Sequence, residues 1–395
     1  MSNIRNFHVV RGKSEAEADL AKKIRKHRFQ SLLRGLLVLA AVAGVAVILI
    51  TSYKNQVFSG YVMTQQAEFM VIDNVSCVEN NGNIIRYSKD GISNTDAKGE
   101  VVWNLTYEMQ DPIVRVADGY VAVGDYNGHI IHLVDAKGAA YQIDTKLPMR
   151  DFSVSSSGVV AVILEDAGNS WINIFNKDGV KIVEAKATMS KTGYPLALSL
   201  SGEVMGVSYF YVDGSMMRSS VAFYNFGGVG ENTTDHIVSS YDYADAVVPV
   251  ITFMNNETAF AVADNRLMFF SGSKKPVSSA DILLDQEIQG VYHSSTHVGL
   301  LFYDQSGEHR YRLDVYDTAG KKVMSYGFDM NFKDILLRNN QVMIYNETEC
   351  IVVGLNEKVK YSGMFEGKVY YVAATDSPRK FLLLMHDGLT SLEFN

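Results

Sequence analysis

Two cysteines and nine histidines are the residues from which this chain of 395 residues could build a metal site or a nucleophilic centre. Cys77 and Cys350 are far apart in sequence and form no CxxC pair. A zinc site would need several histidines beside them, and a disulfide scaffold needs more cysteines. One long-range disulfide and two free buried thiols both remain open, since cysteine also packs as a small hydrophobe. His293 and His297 flank Ser294-Ser295-Thr296. On a helix that spacing would put both rings on one face, but here it reads as strand, turn, strand. His129 and His132 are three apart on an expected strand, which sends them to opposite faces. Asp213-Gly214 and Asp304-Gln305-Ser306-Gly307 read as turns before they read as calcium loops. No dinucleotide or phosphate glycine loop, HExxH zinc helix or GxSxG nucleophile elbow occurs. The expectation is therefore no catalytic residue, no metal and no cofactor.

Charge separates two regions. Residues 1–35 carry nine Lys or Arg and three acids, a net of +6, which leaves −14 of the total −8 to residues 36–395. An acidic body argues against nucleic acid, whose phosphates need cations to displace their counterions. Gly35 to Tyr53 is a run of 19 uncharged residues. As a helix it spans about 29 Å, the thickness of a bilayer core. Its anchoring side chains are Leu36, Leu37, Val38, Leu39, Val45, Val47, Ile48, Leu49 and Ile50. Lys22, Lys23, Arg25, Lys26, Arg28 and Arg34 precede it, and only Lys54 follows closely. Positive flanks stay inside. The expected layout is a cytoplasmic, partly helical tail (residues 1–34), an uncleaved transmembrane signal anchor (35–53), a spacer (54–66) and an extracytoplasmic domain (67–395). Ser14 and Glu17 form a capping-box pattern for the tail helix.

Residues 67–395 repeat. A turn followed by an apolar strand recurs at 119–125, 158–165, 202–207, 259–264, 298–304, 342–346 and 381–387, with a weaker copy at 83–87. The steps between the ends at 125 and 165, 264 and 304, 304 and 346, and 346 and 387 are 40, 40, 42 and 41 residues. A second pattern, a strand entering a polar turn, follows at Asp96-Ala97-Lys98-Gly99, Asp135-Ala136-Lys137-Gly138, Asn176-Lys177-Asp178-Gly179 and Asp317-Thr318-Ala319-Gly320. Four short strands per 40–45 residues is the mark of a propeller blade. The strands are apolar on both faces, as blades flanked by blades must be. The predicted fold is an all-β, eight-bladed β-propeller, with seven blades as the alternative, preceded by one transmembrane α-helix. The last unit ends one strand short, and residues 67–72 are expected to supply the missing strand and close the ring. One unit is enlarged between Val207 and Val248, and Tyr209, Tyr211, Asp213, Glu231, Asn232 and Asp235 in it are the candidate partner-loop residues.

Asp96-Ala97-Lys98-Gly99 followed by Trp103 resembles the turn-and-tryptophan element of quinoprotein-type eight-bladed propellers, and Asp135-Ala136-Lys137-Gly138 followed by Tyr141 is similar. The whole layout also resembles an uncharacterised family of Gram-positive membrane-anchored, propeller-like proteins. The quinoprotein enzymes use adjacent cysteines and calcium-binding carboxylates. This chain has no adjacent cysteines, so the resemblance implies the fold without the cofactor. The functional expectation is a protein-interaction or scaffold module of a cell-envelope complex, held at the cell membrane by one helix. The alternative is a small-ligand sensor or enzyme that uses the central channel.

Overall fold

The structure, a computed structural model, describes residues 13–54, 56–70, 75–187, 193–244 and 246–395. The chain forms two units that divide after Gln56. The described residues of the first form a single helix, Lys13–Lys54, 42 residues long, apart from Gln56. The sequence suggests two helical stretches either side of Gly35. They fuse because no proline interrupts them and because one glycine in a helix costs only about 1 kcal/mol. The large apolar side chains from Leu32 to Val45, including Leu36, Leu37, Val38 and Leu39, are exposed. The helix is long and apolar enough to cross a membrane. The side chains of Val47, Ile48, Leu49 and Ile50 lie outside the described residues.

The second unit is an eight-bladed β-propeller: eight four-stranded antiparallel sheets. Seven blades take four consecutive strands each, at 76–106, 112–144, 149–187, 194–244, 250–283, 288–328 and 334–364. The first strand of each blade lies toward the ring axis, where neighbouring first strands approach one another. All eight copies of the repeated apolar strand are second strands. They are apolar on both faces because each sheet is packed on both sides. The buried side chains accordingly form eight clusters, one between each pair of successive blades.

The repeated polar turn joins third and fourth strands. In blade 1, Asp96 Oδ1 accepts from the backbone N–H groups of Lys98 (2.9 Å) and Glu100 (2.8 Å). Asp135, Asn176 and Asp317 repeat the arrangement. The glycine that follows is left-handed, and at Gly138 a Cβ would also come within 2.8 Å of the Trp103 side chain of the preceding blade. The turn is thus also a blade-to-blade contact, which explains why its residues recur together.

The ring closes as expected in principle but with a different strand. The eighth blade takes Val369–Ala374, Lys380–Met385 and Gly388–Phe394, and its outer strand is Tyr61–Glu68. That strand pairs antiparallel from Tyr61 opposite Phe394 to Glu68 opposite Gly388. The closing strand therefore begins six residues earlier than expected and shares only Ala67 and Glu68 with the segment 67–72, and 58–66 are part of the blade rather than a spacer; residues 71 and 72 lie outside the described residues. Thr64-Gln65-Gln66 reads as linker because an outer strand leaves one face in water. What holds it is aromatic. Phe58 is buried and stacked on Phe394 at 5.0 Å, Tyr61 meets Tyr361 edge-on, and Met63 joins the same cluster. Both cysteines are free, Cys77 half-buried and Cys350 buried. Burial pushes the two thiols up to about 11 and about 12, out of the reactive range.

Candidate functional site

Chemistry on this ring has two candidate locations, the axis and the enlarged fourth blade. A cavity of about 700 Å³ lies along the axis, bordered by the first strands of blades 2 to 5 and by His293. Most of its polar groups are already used to join blades. Arg115 Nη2 meets Asp151 Oδ1 at 2.7 Å. Ser153 Oγ accepts from the Leu200 N–H at 3.1 Å, and Ser199 Oγ from the Phe253 N–H at 3.0 Å. Ser201 Oγ donates to Asn256 Oδ1 at 3.2 Å. His293 is exposed and rests its ring against Phe260, with centroids 5.4 Å apart; partial desolvation by the neighbours around it lowers its pKa, which favours the neutral imidazole. His297 instead contacts Thr296 Oγ1 at 2.8 Å, so the two histidines of the HSSTH stretch have separate surroundings.

The opposite wall has a different character. Arg338 of blade 7 reaches past blade 8 to Glu79 of blade 1, at 2.8 Å. Asp334, on the first strand of blade 7, accepts at Oδ1 from the Ile335 N–H at 2.8 Å. Burial holds its carboxyl above the usual carboxylate range. Tyr345 and Tyr371, both near enough to be affected by that carboxyl, are themselves raised by burial. These groups suit binding and proton storage more than nucleophilic attack. Among the described residues no three His, Cys, Asp or Glu converge as metal ligands would. Arg115, Asp151, Arg338, Glu79 and Asp334 were not singled out from the sequence. Their common signal is a charge placed on a first strand, visible only once the blades are in register.

The enlarged unit is blade 4, whose second and third strands, Val204–Asp213 and Met216–Asn225, are ten residues each. The structure does not bring its six candidate residues together. Tyr209 is buried, with its hydroxyl 2.7 Å from that of Tyr224. It belongs to the core between blades 3 and 4 and is no loop residue. Tyr211 is half-buried on the strand and donates to Asp242 Oδ1 at 3.4 Å. Asp213 is exposed at the hairpin tip, 3.4 Å from Arg218 Nε. Glu231, Asn232 and Asp235 are exposed on the connection from the third to the fourth strand. That connection leaves from the other end of Met216–Asn225, about 30 Å from the hairpin tip at ~3.3 Å per residue. It is built rather than loose. Asn225, fully buried, accepts from the Gly227 N–H at 2.8 Å and donates to the Lys274 carbonyl of blade 5 at 2.8 Å. The hairpin carries what the sequence reading passed over: Val212, Met216 and Met217 are 51%, 44% and 56% exposed.

On the helix, Lys22, Lys23, Arg25, Lys26, Arg28 and Arg34 are all exposed, as are the described anchor residues up to Val45.

Residues 54–394 match the model of a family of unknown function, DUF5711. No curated protein matches the chain. Among solved structures, apo AztD from Citrobacter koseri is similar at a TM-score of 0.53 and 11% identity, over 77% of this chain and 90% of that one. A structure described as the eukaryotic initiation factor gives 0.52 at 11% identity, over 84% and 88%. BamB from Moraxella catarrhalis gives 0.49 at 12% identity, over 85% and 100%. At these identities the likeness is one of fold.

Proposed function

We propose that this chain, which belongs to the DUF5711 family of unknown function, is a membrane-anchored module whose ring binds a protein partner in an assembly of the cell envelope. The helix holds it at the cell membrane, with the N-terminus cytoplasmic and the ring extracytoplasmic. The observation that carries the binding role is the blade 4 hairpin. Its strands outrun those of every other blade and present Val212, Met216 and Met217 to solvent. Exposed apolar groups on the strand ends that flank the two-residue turn add little to the ring's own core, and flexible methionines suit an adaptable contact surface. The topology rests on six cations before the apolar run against one, Lys54, close after it.

Site-specific photo-crosslinking in intact cells tests the binding role. A crosslinker at Met217 should yield a discrete higher-mass adduct, and one at the exposed outer-strand residue Val62 should not. Equal, diffuse labelling at both positions would remove the proposal. Protease added to intact cells should cleave a C-terminal tag, and a tag protected until permeabilisation would reverse the topology. The cavity of about 700 Å³ on the axis supports a second reading, a small-ligand sensor. On that reading, native mass spectrometry of the purified chain would show a stoichiometric small molecule.

A further inference from the structure

Arg86 stands where the repeat calls for a core residue. Four residues after the turn glycine of the second strand, blades 2 and 3 place Val123 and Val162, both fully buried. Counting likewise from Gly82, blade 1 places Arg86. It is half-buried on the face of blade 1 turned to blade 8. That seam has the smallest buried cluster of the eight among the described residues: Ile84, Ala373, Leu382 and Leu389. The guanidinium stacks over the Phe69 ring at 4.5 Å and donates from Nη2 to Thr95 Oγ1 at 3.3 Å. Its Nε is buried with no hydrogen-bond partner among the described residues. No described carboxylate forms an ion pair with it. A half-buried cation with no anion beside it among the described residues is costly at a position where blades 2 and 3 place valine.

The surroundings show what would compensate it. Arg86 borders a cavity of about 330 Å³ whose other polar walls are Ser88, Ser93, Asn104 and Thr106. The strand register puts Arg86, Ser93 and Asn104 side by side in one row across the sheet, with Thr106 next along the fourth strand. The niche therefore offers one fixed positive charge beside three hydroxyls and an amide. We infer that this niche binds a small carboxylate on a hydroxylated frame, the chemistry of a sugar acid. The guanidinium takes the carboxylate as a charge-assisted pair, and the Ser, Thr and Asn groups take the ligand's hydroxyls. A volume near the lower end of ligand pockets suits a molecule of that size. The inference goes beyond the partner reading and does not depend on it, because the seam is not the blade 4 hairpin.

The test uses the full chain in detergent, with gluconate, its neutral counterpart glucitol, acetate and inorganic phosphate as probes in calorimetry and thermal unfolding. Gluconate should bind saturably at one site and raise the melting temperature; glucitol should do neither, and acetate should bind more weakly. Arg86→Leu restores the repeat. Without ligand it should melt at the same temperature as the parent or higher, and it should lose gluconate affinity by about tenfold or more. Arg86→Lys should keep part of that affinity. If gluconate binds no better than glucitol, or phosphate binds and gluconate does not, the inference fails. It also fails if Arg86→Leu lowers the ligand-free melting temperature, since the guanidinium would then be compensated within the chain itself.

Discussion

Blades 8 and 4 both depart from the plain repeat, one by borrowing its fourth strand from the other end of the ring and one by lengthening two strands, and they do so in opposite ways. In blade 8 the borrowed segment turns inward. Phe58, Tyr61 and Met63 all join the cluster between blades 7 and 8, and the strand is paired along its length with Gly388–Phe394. In blade 4 the additional length turns outward, as a hairpin whose apolar tip side chains are about half exposed, and as a connection between third and fourth strands pinned by Asn225. Extra residues that raise burial maintain the ring. Extra residues that raise apolar exposure weaken the case for a purely structural role, and they mark where a partner is to be sought.

The contrast can be broken most severely at the closing strand. Deleting residues 57–68 strips Phe394 and Leu392 of their cover and forfeits three large side chains, at about 1.5–3 kcal/mol each. Against a net domain stability of about 5–15 kcal/mol, the chain should lose its cooperative transition and aggregate, as seen by circular dichroism and gel filtration. A ring that melts normally after the deletion would show that closure is not its keystone.

Single residues sharpen the same comparison. Phe58→Ala should cost about 3–5 kcal/mol in urea unfolding, as large aromatics do when cut out of a packed cluster. Val212→Ser, Met216→Ser and Met217→Ser should each stay within about 0.5 kcal/mol of the parent. Similar losses at both places would erase the distinction. Between these extremes lie the repeated turns. Asp135→Ala removes both acceptor bonds of one turn and should cost about 1–2 kcal/mol. A null effect there would mean that the recurring Asp and Asn residues serve something other than the turn.

The smallest effect concerns pH. The carboxyl of Asp334 is raised in the folded ring by burial. A group whose folded pKa lies above its unfolded one contributes stability that is complete below the unfolded value and is lost as pH rises through the folded value. Asp334→Asn should therefore melt slightly higher than the parent at neutral pH and alike in acid, in thermal scans across that range. A variant less stable at neutral pH would show the ionised carboxylate to be compensated.

The ring was legible in the sequence because its second strands sit between two blades, and burial on both faces makes an unbroken apolar run such as Val121-Ala122-Val123. The polar turns were legible because Asp or Asn and a left-handed glycine must occur together. Tyr61–Glu68 was misread because an outer strand shows water one face, so its polar half resembles a linker. Tyr209 and Tyr211 lie two residues apart on one strand, and only the end of the neighbouring strands decides which is core. Arg86 was present in the weakest repeat copy but is informative only beside Val123 and Val162. The hairpin was singled out through Tyr211 and Asp213, but Met216 and Met217 were not, because methionines read as core until their exposure is known.

The central claim is that the blade 4 hairpin binds while the blade 8 strand holds the ring, and one variant tests both halves. Val212→Ser, Met216→Ser and Met217→Ser are combined in the full chain, which is compared with the parent on native gels of gently solubilised membranes and in thermal unfolding after purification. The account predicts that the parent migrates in a larger assembly, and that the variant migrates as the free chain with an unchanged melting temperature. A variant that remains in the assembly, or one that leaves it only because it has unfolded, would contradict the account.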